Sequence, residues 1–421
     1  MTATLDIRSL ADCDDAGIRD WQRALHTGFH IAPSPTDEEM RVRRAAIDPA
    51  RTQGAFDGDR CVATFRSMPR ELTVPGGAFL PASAITNVSV TATHRRRGLA
   101  SRMMATELAA SRERGESVAI LVAAEYPIYG RYGFGPATWV ANWEVEVPRA
   151  VTDRRYAGPD DGGRVDLVPL EDVRTIGPEL HERVRASTPG AINRLPLWWQ
   201  SATGQRVVPS APWKEPFFVA YRDPAGQVQG LAAYTTTEHH WPGKLPRVDA
   251  TVQELITTTS AAERALWRFL LSLDWVTLLK TGYRAPDDVL PLLLDDPRAA
   301  VTETLADFMW LRLLDVPAAL SARGYAGGAA ALVLGVEDEA GFAAGRFLLE
   351  TDASGAASCT PTAAAADLTL SAADLACLYL GDESAVRLAA LDRLTEHRPG
   401  AATLATTLFR TARRPWCPEL F

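Results

Sequence analysis

Lysine is almost missing: it occurs only at Lys214, Lys244 and Lys280, and arginine carries nearly all the positive charge. Such a bias fits a GC-rich genome and points to no function. Cysteine is also sparse. Cys13, Cys61, Cys359, Cys377 and Cys417 are odd in number and scattered, with no Cys-x-x-Cys pair and no His-rich ligand spacing. Reduced thiols, a cytoplasmic location and no bound metal are therefore expected. No segment supplies the about 18 uncharged apolar residues of a membrane span. Between Met1 and Trp21, Asp6, Asp12, Asp14 and Asp15 stand where a secretory signal would be apolar, so none is expected.

The 421 residues are 47% hydrophobic and 23% charged, which describes a globular chain. At about 150 residues per domain the length suggests three domains. A net charge of −8 argues against general nucleic-acid binding and makes cationic small molecules the natural complement.

The most informative stretch runs from Val88-Ser89-Val90 through Thr91-Ala92-Thr93-His94 and Arg95-Arg96-Arg97-Gly98 to Leu99-Ala100-Ser101. It reads as strand, basic glycine turn and helix start. The first N–H groups of a helix lack partners within it, and the helix dipole adds partial positive charge there, so phosphate oxygens fit that end. Gly98 admits an anion close to the backbone, Ala100 keeps the next position small, and the arginines add charge. Leu99, Met103, Met104 and Leu108 recur at helical spacing, predicting a helix to about Arg114. A solvated arginine turn capping an ordinary helix is the rival reading, and the preceding strand weighs against it.

Arg95-x-x-Gly98-x-Ala100 between strand and helix resembles the acetyl-CoA signature of the GNAT superfamily. An apolar run from Val118 to Ala123 follows, then Glu125-Tyr126-Pro127-Ile128-Tyr129-Gly130-Arg131-Tyr132-Gly133-Phe134-Gly135. With a chain ending at Phe421, this combination resembles the Eis (enhanced intracellular survival) family of aminoglycoside acetyltransferases from end to end. The resemblance implies an α+β protein of tandem GNAT domains, the second degenerate, followed by a sterol-carrier-like C-terminal α+β domain.

The first, catalytic domain is placed at residues 1–148. A helix through Trp21, Leu25 and Phe29 is broken at Pro33-Ser34-Pro35-Thr36-Asp37, strands follow over Gln53–Phe65 and Arg70–Phe79, and the last strand runs from Trp139 to Val147. A linker is expected over Pro148–Gly163. The GNAT-like second domain, 149–297, has Thr257-Thr258-Thr259-Ser260 where the basic turn would be; without glycine or cation it should bind no CoA. Ser260 and Glu263 suggest a capping box for its helix, and its expected work is to wall the substrate cleft and make an oligomer contact. The third domain, 298–421, carries short strands at Met309–Leu314, Ala331–Val336 and Phe347–Leu349.

Acetyl transfer to an amine needs a held thioester, donors to its oxygen, a proton for the leaving thiolate and a neutral amine. Val88, Ser89 and Val90 would pair with the pantetheine arm. Arg96, Arg97, Gly98, Leu99, Ala100 and Ser101 would hold the pyrophosphate, with Ala124 and Glu125 beside the same arm. By resemblance Tyr129 is the general acid, with Tyr126 and Tyr132 as neighbours able to compete. Either it is acidified locally or it works chiefly by hydrogen bonding. Also by resemblance, the α-carboxylate of Phe421 is the general base, directly, through water, or by anchoring an ammonium group, with Glu419 adding negative charge. The family often has an acidic residue just before the terminal Phe, where this chain has Leu420. Trp21, Phe29 and His30 are candidates for the substrate mouth; His30 and His94 lack metal or triad spacing. The implied protein is a homohexamer that uses acetyl-CoA and acetylates several amines of aminoglycosides or other polyamines. Acetylation of protein lysines, or lipid or acyl-CoA binding centred on the last domain, are the alternatives.

Overall fold

The computed structural model describes residues 5–32, 34–154, 161–238 and 240–421. Pro33, part of the expected break after the first helix, and 155–160, the middle of the expected linker, lie outside the described residues, as does 1–4. Strands β1 (Asp6–Ser9), β2 (Thr52–Asp57), β3 (Arg60–Thr73), β4 (Phe79–Val90), β5 (Val118–Val122) and β6 (Gly135–Pro136) belong to a first sheet. The strand expected over Gln53–Phe65 is two strands, since the chain turns at the polar Asp57-Gly58-Asp59-Arg60, where Gly58 takes a left-handed φ of 62°. Arg70–Thr73 closes β3, and the following turn carries an N–H bond from Val74 to the Ala78 carbonyl at 3.0 Å.

The second sheet holds β7 (Trp139–Glu146), β8 (Arg164–Val168), β9 (Phe217–Arg222), β10 (Val228–Thr236), β11 (Val248–Thr257), β12 (Val276–Lys280) and β13 (Ala300–Asp307), in the order β13-β7-β12-β11-β10-β9-β8. The chain then returns, and β14 (Met309–Leu313) inserts between β5 and β6 of the first sheet. Two expectations change here. Trp139–Val147, read as the last strand of the first domain, pairs instead with β12 and β13, while Met309–Leu314, read as part of the third domain, completes the first sheet. Each GNAT-like unit thus borrows a strand from beyond the boundary that composition suggests. The reason is visible in burial: every β14 residue is buried, which requires covered faces and two paired neighbours.

β15 (Ala330–Glu337), β16 (Gly345–Thr351), β17 (Ala357–Pro361), β18 (Leu368–Ser371) and β19 (Leu394–Glu396) form a third sheet. One apolar core joins the first and third sheets: Ala82, Ile120 and Leu311 pack in the same cluster as Leu334, Leu375 and Phe409. A side chain at Gly135 would come within 2.1 Å of the Ala373 carbonyl oxygen, so the helix Ala372–Tyr379 lies directly on β6. The interior of the third unit is occupied by its own side chains. The Tyr379 hydroxyl donates to the Ala319 carbonyl at 2.9 Å, and buried Arg323 donates to the Phe409 carbonyl at 2.9 Å. In the second unit the helix Ser260–Leu271 is capped one residue earlier than expected, by Thr259, whose hydroxyl accepts the Ala262 N–H at 3.2 Å.

Candidate active site

β4 and β5 run parallel and pair only from Ala82–Ile85 to Val118–Leu121. Beyond Ile85, β4 continues to Val90 alone on that side, and the two strands part. A β-bulge sets the divergence: Thr64 pairs with Ser89 and Arg66 with Thr86, so Asn87 and Val88 together oppose Phe65. Asn87 takes the left-handed conformation (φ 55°), which asparagine tolerates better than most residues. The Thr64 hydroxyl donates to the Asn87 carbonyl at 2.7 Å and so receives the Ser89 hydroxyl proton at 2.8 Å. Helix Asp15–Gly28 presses on the same point, where a Cβ on Gly28 would lie 2.3 Å from the Ser89 hydroxyl. Val88, Ser89 and Val90 are half-buried, with backbone groups open toward the gap. Thr64, Asn87 and Gly28 were not singled out from sequence; an asparagine, a poor strand former, within the strand-like run to Val90 was the available signal.

The turn after β4 ends in Arg96 (φ 63°) and Gly98 (φ 71°), and the helix Leu99–Glu113 begins with no side-chain cap. Its first amides are therefore free for an anion. Arg95, Arg96 and Arg97 are exposed, and none makes an ion pair within the described residues. Leu99 contributes only its backbone, because its side chain is buried. His94 anchors the loop through Nε2 to Asp57 at 3.3 Å, a structural role. These groups fit the pyrophosphate and pantetheine of an acyl-CoA.

Ala124 and Glu125 lie exposed, two and three residues past the end of β5 and just before the turn Tyr126–Tyr129. Tyr129 is buried, with its ring 6.3 Å from Phe134 and 6.5 Å from Trp310. Burial, with Tyr132 and Glu125 nearby, pushes its phenol above the ordinary 10, which removes local acidification from the two expected modes. The Tyr132 hydroxyl is taken up by Ser101 at 3.0 Å, and Tyr126 is half exposed against Trp310. Beneath the turn, buried Arg312 of β14 donates to the Tyr132 carbonyl and to both Asp338 oxygens at 3.0 and 2.8 Å. Asp338 belongs to the third unit, so that unit braces the tyrosine turn.

The C-terminal segment threads along the second unit into the first. The Trp416 N–H donates to the Pro189 carbonyl at 2.8 Å. Glu419 is buried and accepts from His181 Nε2 at 2.9 Å, Arg194 Nε at 3.0 Å and the Ile192 N–H at 3.4 Å. Glu419 lines the cavity described next, and its charge acts there on Arg70, while its bonds to Arg194, His181 and the Ile192 N–H clamp the tail. Phe421 lines a cavity of about 780 Å³ walled by β3 residues Arg66–Arg70, by Ile192–Trp198 of the second unit and by Ala45–Asp48. It also lines an adjoining 240 Å³ cavity that reaches Thr86 and Asn87 at the bulge. Trp21 is wholly buried, its indole N–H donating to the Gln53 carbonyl at 2.8 Å, and it borders only the smaller cavity. Phe29 and His30 are exposed and line neither of the two cavities.

Residues 7–137 and 190–313 each match an acetyltransferase (GNAT) domain model, and 316–418 match a sterol carrier protein domain. An uncharacterized N-acetyltransferase of Streptomyces avermitilis is 55% identical, over 99% of both chains. The N-acetyltransferase Eis of Mycobacterium tuberculosis is 36% identical over 86% of this chain and 83% of its own. The crystal structure of Eis1 from Mycobacterium abscessus superposes with a TM-score of 0.83 at 30% identity, covering 99% of this chain and all of the other. The splayed strands, the basic helix start and these relatives together place the chain in the Eis family of GNAT N-acetyltransferases.

Proposed function

We propose that the chain transfers the acetyl group of acetyl-CoA to a primary amine of a small molecule, with Tyr129 as acid and the Phe421 α-carboxylate as the group that receives the amine. The observation that carries this is the cavity pair at the chain terminus, which runs from Phe421 to the bulged end of β4. The cosubstrate supplies an activated thioester. The Arg95–Gly98 turn and the first amides of Leu99, Ala100 and Ser101 hold its pyrophosphate, and the free edge of Val88–Val90 holds its pantetheine and directs an N–H at the carbonyl oxygen. As the amine nitrogen bonds the carbonyl carbon and the C–S bond breaks, Tyr129 donates to the sulfur. A phenol above 10 facing a thiol near 8.5 makes full transfer uphill by more than about 2 kcal/mol, so the hydroxyl acts as a hydrogen-bond donor. The Phe421 carboxylate anchors the ammonium and takes its first proton, directly or through one water, and the second proton, lost from nitrogen as the amide forms, goes to the departing thiolate.

Aminoglycosides, acetylated at several amines, are the acceptors that family resemblance implies, and the larger cavity has room for them. The same resemblance extends to a homohexamer in the cytoplasm, which light scattering on the purified chain checks for mass. The test of the reaction is CoA release from acetyl-CoA with kanamycin or neomycin, comparing the natural chain with one extended by a single residue after Phe421. Turnover abolished by the extension supports the assignment. Turnover that survives removes Phe421, and its absence from both chains with every amine tried overturns the reading.

A further inference from the structure

The lining of the cavity at the chain terminus carries an excess of positive charge. Four arginines line it: Arg66, Arg70, Arg194 and Arg206. Arg194 is matched, by Glu419 at 3.0 Å and by Glu254 at 2.8 Å. The other three are bonded only to neutral groups. Arg66 donates to the Ala46 carbonyl, Arg70 to the Pro69 carbonyl at 2.9 Å, and Arg206 to the Ser201 hydroxyl at 3.3 Å and the Val42 carbonyl at 3.0 Å. None of the three makes an ion pair among the described residues, and buried Nε atoms of Arg66 and Arg206 have no hydrogen-bond partner. They come from two elements, β3 and the segment after helix Pro196–Ala202, yet face one space. Their mutual repulsion is felt: burial first, then Arg70 and Arg206, lowers the Arg66 guanidinium to about 10.

Opposing them at longer range are Asp48, exposed at the rim with one oxygen accepting the Ala50 N–H at 3.0 Å and acting on Arg66, Glu419, whose charge is felt by Arg70, Glu39, whose charge is felt by Arg206, and the α-carboxylate of Phe421, which makes no ion pair among the described residues. Guanidinium groups left half-buried with no carboxylate in direct contact are costly unless an anion arrives, and their planar fork matches carboxylate or phosphate. We infer that this cavity is an anion site, and that the acceptor amine carries a carboxylate or phosphate on the same molecule, held by Arg66, Arg70 and Arg206. This rests on the reaction proposed above and replaces a polycation with an acidic amine as acceptor.

Matched acceptors test it: glucosamine against glucosamine 6-phosphate, and phenethylamine against phenylalanine, with kanamycin as the polycation. The natural chain should acetylate at least one anionic member with kcat/KM about 10-fold or more above its uncharged partner, chiefly through KM, as expected for a charge-assisted hydrogen bond. Which pair shows the preference distinguishes phosphate from carboxylate. Arg70→Gln and Arg206→Gln, each checked for folding by thermal melting, should bring that ratio toward one, and added salt should reduce it in the natural chain. Kanamycin outperforming both anionic amines, or a preference that survives both substitutions, overturns the inference. Should no amine be acetylated, titration calorimetry with glucosamine 6-phosphate and with phenylalanine decides separately. Binding weakened about 10-fold by Arg70→Gln supports the anion site, and absence of binding to the natural chain removes it.

Discussion

Replacing Glu419 by Gln isolates the clamp that delivers the chain terminus to the cavity. In the folded chain this carboxylate is 2% exposed and satisfies three donors, two of them cationic or ring N–H groups. Removing one partner of a buried charge pair costs about 3–5 kcal/mol. Arg194 keeps Glu254 at 2.8 Å, which places the substitution at the lower end, about 3 kcal/mol. That is roughly 150-fold in the equilibrium between docked and released tail. Buried Trp416 and Cys417 still hold the segment, each contributing about 1.5–3 kcal/mol, so most molecules stay docked. Carboxypeptidase A reads the open fraction when reclosing outpaces cleavage, and it should release Phe421 about 100-fold faster from the variant. The natural chain should show an acid dependence. Burial raises the Glu419 carboxyl, but Arg194, His181 and the Ile192 N–H outweigh it and hold it below the ordinary 4.5. A lowered folded value means stabilisation that is complete above the released-tail value and fades as pH falls through the folded one. Release from the natural chain should therefore accelerate below about pH 4.5, while Glu419→Gln stays flat in that range. Equal release rates in the two chains at neutral pH would refute the clamp.

Tyr129→Phe keeps the ring packing against Phe134 and Trp310 and should lower kcat by roughly 10²–10⁴ with little change in melting temperature. Because burial raises the Tyr129 phenol, it stays protonated and the pH profile of kcat should lack an alkaline fall from this group up to about pH 10. A steady-state titration checks both. Gly28→Ala drives a methyl group into Ser89; overpacking should cost about 1–3 kcal/mol, outweighing alanine's better helix propensity, and raise KM for acetyl-CoA. Adding Ser89→Gly should recover much of that loss in a denaturant melt. Asp338→Ala leaves Arg312 buried without its counter-charge, which should destabilise the chain by about 3–5 kcal/mol and lower kcat as the tyrosine turn loosens. Calorimetry beside initial-rate assays tests the pairing of the two effects.

Local signals along the chain were strong where neighbours in sequence are neighbours in space. The helix Leu99–Glu113 follows from Leu99, Met103, Met104 and Leu108, all buried as their spacing requires. The Arg95–Gly98 turn carries its own chemistry, since a glycine in the left-handed region and an uncapped helix start are properties of a few adjacent residues. Those same residues named the family. Long-range arrangement was beyond such reasoning. Nothing in Trp139–Glu146 or Met309–Leu313 says which sheet each will join, because an apolar strand pairs equally well with any matching edge. The turn at Gly58, by contrast, was legible: Asp57-Gly58-Asp59-Arg60 is a polar break carrying an Asp-Gly hairpin signal, and a single strand over Gln53–Phe65 passes over it.

At the site, the sequence by itself determined the basic glycine turn with its uncapped helix start and the tyrosine segment. Only the tertiary structure decided what surrounds them. Glu419, 225 residues from its partner Arg194, became a buried clamp rather than a free charge, and Arg312 reached across 180 residues to hold the Tyr132 carbonyl. Arg66, Arg70 and Arg206 look in sequence like ordinary surface cations of an arginine-rich chain. Folding placed them around one cavity with no carboxylate at ion-pair distance among the described residues. The physical reason is that the meaning of a charge depends on its counter-charge and its exposure to water, and both are set by residues far away along the chain.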